Sequence, residues 1–372
     1  MIASLPLCYA FPQDVSAQNI TLFGQVDTAL VISSTGAHGV GRINSVSSGV
    51  LGPSRWGFRG TEDLGNGLKA NFLLEAGFDA DTGAAKTYFG NPATATASAA
   101  NGTGVTGFNR RSTVGLEGSF GTFSIGRDYT PVYFTGLQTD PLGFTLFGNV
   151  QAISSPAGGS ERWGRVSNAL FYTTPTFNGF KGRVAYSLGS ESGGGPTGSL
   201  PKDSNVFIGV GGDYVNGGLV ISASYQELSY PKVAGATPVF TGDLDKRKDA
   251  MLGAKYSFGT YSVAGGLWKV DRPQDASNVW FGGSSTYGPF KLMAIVQHLR
   301  QDNFTGSQRK STTFGIGGLY ELSKRTTLYG TYGQVSNNAT GSLALFSADT
   351  AVAAGAPGAR VSASAIGIRH TF

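Results

Sequence analysis

The side chains with chemical potential in this chain are cations, and they recur at alternate positions. Arg55 and Arg59 stand opposite Trp56 and Phe58 in strand parity, Lys69 stands opposite Leu68 and Ala70, and Lys181 and Arg183 stand opposite Phe180 and Val184. Cations spaced by two on extended backbone all point to one face. Such a row does electrostatic work: it attracts and orients anions, and needs neither a nucleophile nor an acid–base pair. Covalent chemistry has little to draw on. Histidine occurs at 38, 298 and 370, none within ligand spacing of another, so zinc is not expected. Gly193-Gly194-Gly195 lacks the Lys and Ser/Thr of a phosphate loop and has no strand–helix context. No Ser, His and acid set stands out. The expectation is a protein that is not an enzyme and has no cofactor.

Strands must hold these side chains. Over 68–79, Leu68, Ala70, Phe72, Leu74, Ala76 and Phe78 share one face, and Lys69, Asn71, Glu75 and Asp79 the other. Residues 206–214 and 290–298 repeat the pattern, although Met293 and Ile295 blur the polar face of the second. The final residues alternate too and close on Phe372. A period of 2, not 3.6, makes these strands with two different surroundings. Only 40% of residues are hydrophobic and 57 are glycine, too little apolar content for a thick core around so many strands. Water on one side and lipid on the other reconciles the two. No apolar run approaches the ~20 residues of a membrane helix. Aromatics near strand ends, among them Trp56, Phe72, Phe78, Tyr186, Tyr256, Phe258, Tyr287, Phe290, Tyr320 and Phe372, fit girdles at the two lipid–water boundaries.

The connections alternate in length. Short ones fall at 65–67, 119–121, 175–179, 216–218, 259–260, 288–289 and 323–325. Long ones fall near 35–54, 80–109, 128–164, 189–204, 231–248, 271–277, 302–310 and 335–361. These imply sixteen strands, with short turns at one rim and long loops at the other. Strand-like segments continue from Ile20 to Phe372 without a linker, so residues 18–372 read as a single domain. Residues 1–17 read as a signal peptide, with an apolar run around Leu5-Pro6-Leu7-Cys8 and small residues at Ser16-Ala17. The basic segment that normally opens a leader is absent, which fits a truncated or misassigned start. Cys8 is the single cysteine, so a chain cleaved there holds no disulfide. A charge of +5 can suggest nucleic acid, but the basic residues do not cluster, and no nucleic-acid partner is expected.

Several motifs in fixed order carry a resemblance: Ile20-Thr21-Leu22-Phe23-Gly24-Gln25-Val26-Asp27, Ser54-Arg55-Trp56-Gly57-Phe58-Arg59-Gly60-Thr61-Glu62-Asp63, Phe120-Gly121-Thr122-Phe123-Ser124-Ile125-Gly126-Arg127 and Gly367-Ile368-Arg369-His370-Thr371-Phe372. The chain resembles the general-diffusion porins of Gram-negative outer membranes, in their β-proteobacterial branch. The resemblance implies an all-β, sixteen-stranded antiparallel transmembrane β-barrel with an inward-folded third long loop. It further implies a homotrimer in outer-membrane lipid and passive passage of ions and small hydrophilic solutes. Here the third loop is 128–164. By motif, the resemblance puts Arg55, Arg127 and Arg165 on the wall of the constriction, facing the loop that carries Asp140.

Parity agrees for Arg55 and Arg59, since an arginine facing lipid at mid-membrane costs roughly 2–4 kcal/mol. It disagrees for Arg127, which shares parity with Phe123 and Ile125; a bulge after Gly126, or an ended strand, would turn it inward. Parity favours Arg111 as lumenal, whereas the motif fits Arg110 better. The expected pore lining is Arg59, Lys69, Arg111, Lys181 and Arg183. Asp140 either screens the arginines or caps a turn before Pro141. Few acids against several arginines imply anion preference. The alternatives are a substrate-specific porin for organic anions or phosphate and, with less support, a barrel adhesin using loops 80–109 and 335–361.

Overall fold

The structure, a computed structural model, describes residues 20–39, 41–86, 107–151, 164–189, 203–234, 239–271, 275–302 and 307–372. The expected leader, residues 1–17, lies outside them, as do Gly193–Gly195 and most of loop 80–109. The wall begins with β1 (Thr21–Ser34), β2 (Ile43–Ser48), β3 (Arg55–Gly65), β4 (Leu68–Gly77), β5 (Arg111–Gly118) and β6 (Gly121–Tyr129). One helix, α1 (Pro131–Thr139), follows. The wall then continues with β7 (Arg165–Thr173), β8 (Phe180–Leu188), β9 (Val206–Asn216), β10 (Leu219–Ala234), β11 (Val239–Phe258), β12 (Tyr261–Asp271), β13 (Ala276–Tyr287), β14 (Phe290–Asp302), β15 (Gln308–Glu321) and β16 (Thr326–Asn337). A small hairpin, β17 (Leu345–Phe346) with β18 (Ala351–Val352), precedes the closing strand β19 (Arg360–Thr371).

Each wall strand pairs antiparallel with its neighbours, and β19 pairs with β1 from Gln25–Thr371 to Ser34–Ser362, which closes the barrel. Of the 17 strands in this sheet, β2 and β3 pair with successive stretches of β1 and are halves of one wall strand, so the barrel has sixteen. The long connection expected at 35–54 therefore contains a strand. Its interruption at 49–54 turns inward, because Asp27 of β1, fully buried, accepts the N–H groups of Val50 and Gly52 at 3.1 Å each. The expected loop 335–361 likewise contains β17 and β18, and the third loop contains α1. The short turns are hairpins of the kind glycine and asparagine permit. Between β3 and β4, Asn66 and Gly67 both take positive φ, 52° and 77°.

The two faces divide as the alternation requires. Leu30, Phe281 and Ile366 stand 68%, 62% and 75% exposed on the outside, a surface suited to hydrocarbon. Phe72 and Leu74 line an outer apolar groove with Val114, Ile125 and Leu170. Rings meet near the short-turn rim: Tyr256, Phe258, Tyr261 and Tyr287 form one chain of contacts, and Phe290 and Tyr320 another.

The buried apolar cluster lies inside the barrel. Val132, Leu142, Phe144, Leu146, Phe147 and Val150 of the third loop pack on Trp268, Trp280, Met293, Ile295 and Leu299 of the wall, with Leu51, Leu343, Leu345 and Val352 beside them. This explains why Met293 and Ile295 break the alternation: their inward face meets the loop, not water. Trp280 Nε1 donates to Thr139 O at 3.1 Å, and Gln297 Nε2 donates to Gly148 O and Asn149 O at 2.6 and 2.8 Å. Small wall residues admit the backbone: a side chain on Gly253 or Gly315 would collide with Thr139 or with the Phe147 carbonyl.

Candidate functional site

Two cavities meet beside α1. The one toward the short turns has a volume of about 860 Å³ and is lined by Arg59, Lys69, Arg111, Lys181 and Arg183, with Asp63, Glu117 and Asp128. The one toward the long loops, about 500 Å³, is lined by Arg55, Arg110, Arg111, Arg165 and Arg369, with Glu75 and Asp349. Glu75, Arg111, Tyr129 and Phe134 belong to both walls and mark where the cavities join. All five residues expected to line the pore thus border one cavity, and Arg55 and Arg165 border the other.

The junction is built around Glu75 of β4 and Tyr129 of β6. Glu75 accepts from Arg110 Nε at 2.6 Å and lies 3.3 Å from Arg55 Nε. Arg110 Nη2 and Arg165 Nη2 both donate to the Tyr129 hydroxyl at 2.7 Å. The Arg165 guanidinium also sits 4.3 Å over the Tyr129 ring, a cation–π contact. Tyr133 of α1 stacks on Tyr129 with centroids 3.9 Å apart, tying the third loop to the arginine wall. Arg111 grips Asp128 with two bonds of 2.7 Å. Arg183 pairs with Asp213 and lies 4.7 Å from the Phe134 ring.

Both candidate arginines at 110 and 111 are used. Arg111 opens β5 with inward parity. Arg110 directly precedes the strand; its backbone N–H donates to the Glu75 carbonyl at 3.0 Å and its side chain turns to the Glu75 carboxylate; it is 1% exposed. The conflict at Arg127 ends in a bulge: the β6–β7 register shifts between Gly126 and Asp128. Gly126 has φ 128°, and a Cβ there would strike the Ser112 carbonyl, so only glycine makes the bend. The bulge turns Arg127 inward, but into the wall. It is buried and donates to Asn109 O and Ser167 Oγ, both at 2.7 Å, and it borders neither cavity.

Of the two roles open to Asp140, the geometry displays the turn-capping one. Its carboxylate accepts backbone N–H groups from Leu142 and Phe144 at 2.9 Å and from Val150 at 3.3 Å, and it is absent from the lining of the arginine cavity. Burial raises its pKa to about 6, against the pull of those three N–H groups. Sequence reasoning placed Glu75 only on a polar face and gave Tyr129 and Tyr133 no role. The arginine partners of Glu75 and Tyr129 are 19 to 36 residues away, and inward parity at Glu75 is the one signal the sequence offers.

Beside this closed barrel with its crossing loop, a family model described as Gram-negative porin matches residues 3–340. The chain belongs to the Gram-negative porin family. This porin is an outer-membrane barrel that passes ions and small solutes by diffusion. Outer membrane porin protein 32 of Delftia acidovorans is 29% identical over 367 residues, covering 96% of this chain and 95% of that protein. An outer membrane porin protein of Bordetella pertussis is also 29% identical, covering 95% of this chain and 94% of its own. Among solved structures, the anion-selective porin from Comamonas acidovorans matches with a TM-score of 0.76 at 28% identity, over 95% of this porin and 99% of that chain. OmpT of Vibrio cholerae, at 15% identity and a TM-score of 0.61, shares the fold.

Proposed function

We propose that this porin is an anion-preferring general-diffusion channel in which Arg55, Arg165 and Arg111, backed by the buried Arg110 and Arg127, set the sign of the field at the constriction. The observation that carries the reading is the wall of the smaller cavity, where five arginines face Glu75 and Asp349. Arg59, Lys69, Lys181 and Arg183 continue the positive lining toward the short-turn mouth. Rings of one charge concentrate the opposite ion and repel the like one. The description of the Comamonas porin as anion-selective supports the same reading. Asp140 then contributes by shaping the third loop. No covalent step and no energy input are required.

In this reading residues 1–17 are a leader removed on export, and the working unit is a homotrimer in outer-membrane lipid. Planar-bilayer recording of detergent-purified protein tests both channel and assembly. Ohmic insertions in steps of three, with an anion-selective reversal potential in a KCl gradient, are expected. A cation-selective sign overturns the preference.

A further inference from the structure

Across the barrel from the arginines, a third cavity of about 590 Å³ lies under the far end of the third loop, bordered by the short turn at Gly259 and Thr260. Its floor spans four adjacent strands. Lys255 and Ser257 come from β11, Ser262 from β12, Ser284 and Thr286 from β13, and Lys291 from β14. The register sets them side by side: Ser257 opposite Ser262, Ser262 opposite Ser284, and Thr286 opposite Lys291. Ser262 Oγ and Ser284 Oγ lie 2.8 Å apart. Pro141 and Leu142 roof the space, and Pro141 approaches so closely that a Cβ on Gly282 would meet it at 2.8 Å.

Two lysines thus flank a row of hydroxyls in a half-closed pocket. Among the described residues neither lysine makes an ion pair; Lys255 repels Lys291, while Glu321, which does not line the pocket, attracts it. Asp140 borders the roof, but its oxygens are turned to three backbone N–H groups. A neutral polyol leaves the repulsion between the ammonium groups in place, and a monatomic halide uses few of the hydroxyls. A small, multiply charged oxyanion relieves the repulsion and accepts from lysines and hydroxyls together. We propose that this pocket is a second anion station, separate from the arginine junction, that holds a tetrahedral oxyanion of the phosphate or sulfate class on the short-turn side of the third loop.

The proposal rests on the anion-preferring reading, since anions must reach the pocket. The test is chloride current through single channels of the full barrel in planar bilayers, titrated with inorganic phosphate from each side in turn. Phosphate is expected to reduce the wild-type current saturably. Loss of two charged contacts in the K255Q/K291Q variant raises the half-blocking concentration about tenfold or more. S262A/S284A keeps both charges and shifts it a few-fold. Absence of block in the wild type, or equal half-blocking concentrations in all three proteins, overturns the station. The reversal potential in KCl alone, measured on the same channels, reports on the channel reading independently. An anion-selective sign with no variant effect removes the pocket and leaves the channel.

Discussion

Arg110 donates its Nε–H to Glu75 Oε1 at 2.6 Å, in a pair whose arginine is 1% exposed. Glu75 is at once the structural partner of a buried cation and a negative charge at the cavity junction. The E75Q variant is expected to lose about 3 kcal/mol of stability, because it leaves Arg110 without its carboxylate. In a KCl gradient it is expected to become more anion-selective than wild type. Urea unfolding and reversal potentials measure the two effects separately, and an unchanged selectivity would remove Glu75 from the field.

Arg55 is the more exposed partner of Glu75, its side chain 31% accessible and bordering the long-loop cavity. R55E places two carboxylates beside each other at the junction. Anion preference should fall markedly, and the barrel should still assemble because Arg110 keeps its bond to Tyr129. Permeability ratios in KCl read the change.

Asp140 gives a pH dependence with a definite sign. Its carboxyl holds a proton up to about pH 6 in the folded loop, against an ordinary value of 3.8. The native state therefore binds that proton more tightly than the unfolded chain. The stabilisation, at most roughly 3 kcal/mol, is complete below pH 3.8 and is lost as pH rises through 6. Thermal midpoints across pH 3 to 8 should contain this falling component in the wild type and lack it in D140N. Identical profiles would refute the assignment.

Gly253 lies against Thr139 at the end of α1, where a Cβ would come within 2.5 Å of the Thr139 hydroxyl. Close-packed interiors transmit such insertions as displacement. G253V should push α1 off its wall toward the arginines and lower the single-channel conductance, with the barrel intact by heat-dependent gel migration. A conductance equal to wild type would show that the helix does not bound the narrow passage.

Alternation along the strands determined the barrel, because side chains two apart must share a solvent. Turn and loop lengths determined its strand number and the rim to which each connection belongs. The same parity put Arg55, Arg59, Lys69, Lys181 and Arg183 inside. What escaped the sequence lies where the backbone leaves strand geometry. The inward segment 49–54, the helix α1 and the hairpin β17–β18 have no period to read; the parity break at Arg127 signalled a bulge or an ended strand, and the register shift at Gly126 decides for the bulge. Neighbours far apart in the chain also escaped. Tyr129 between two arginines, Trp280 on Thr139 and the lysine pair under the loop join residues from 19 to 141 positions apart. Local pattern fixes which face a side chain takes; only closure of the ring decides which faces meet across it.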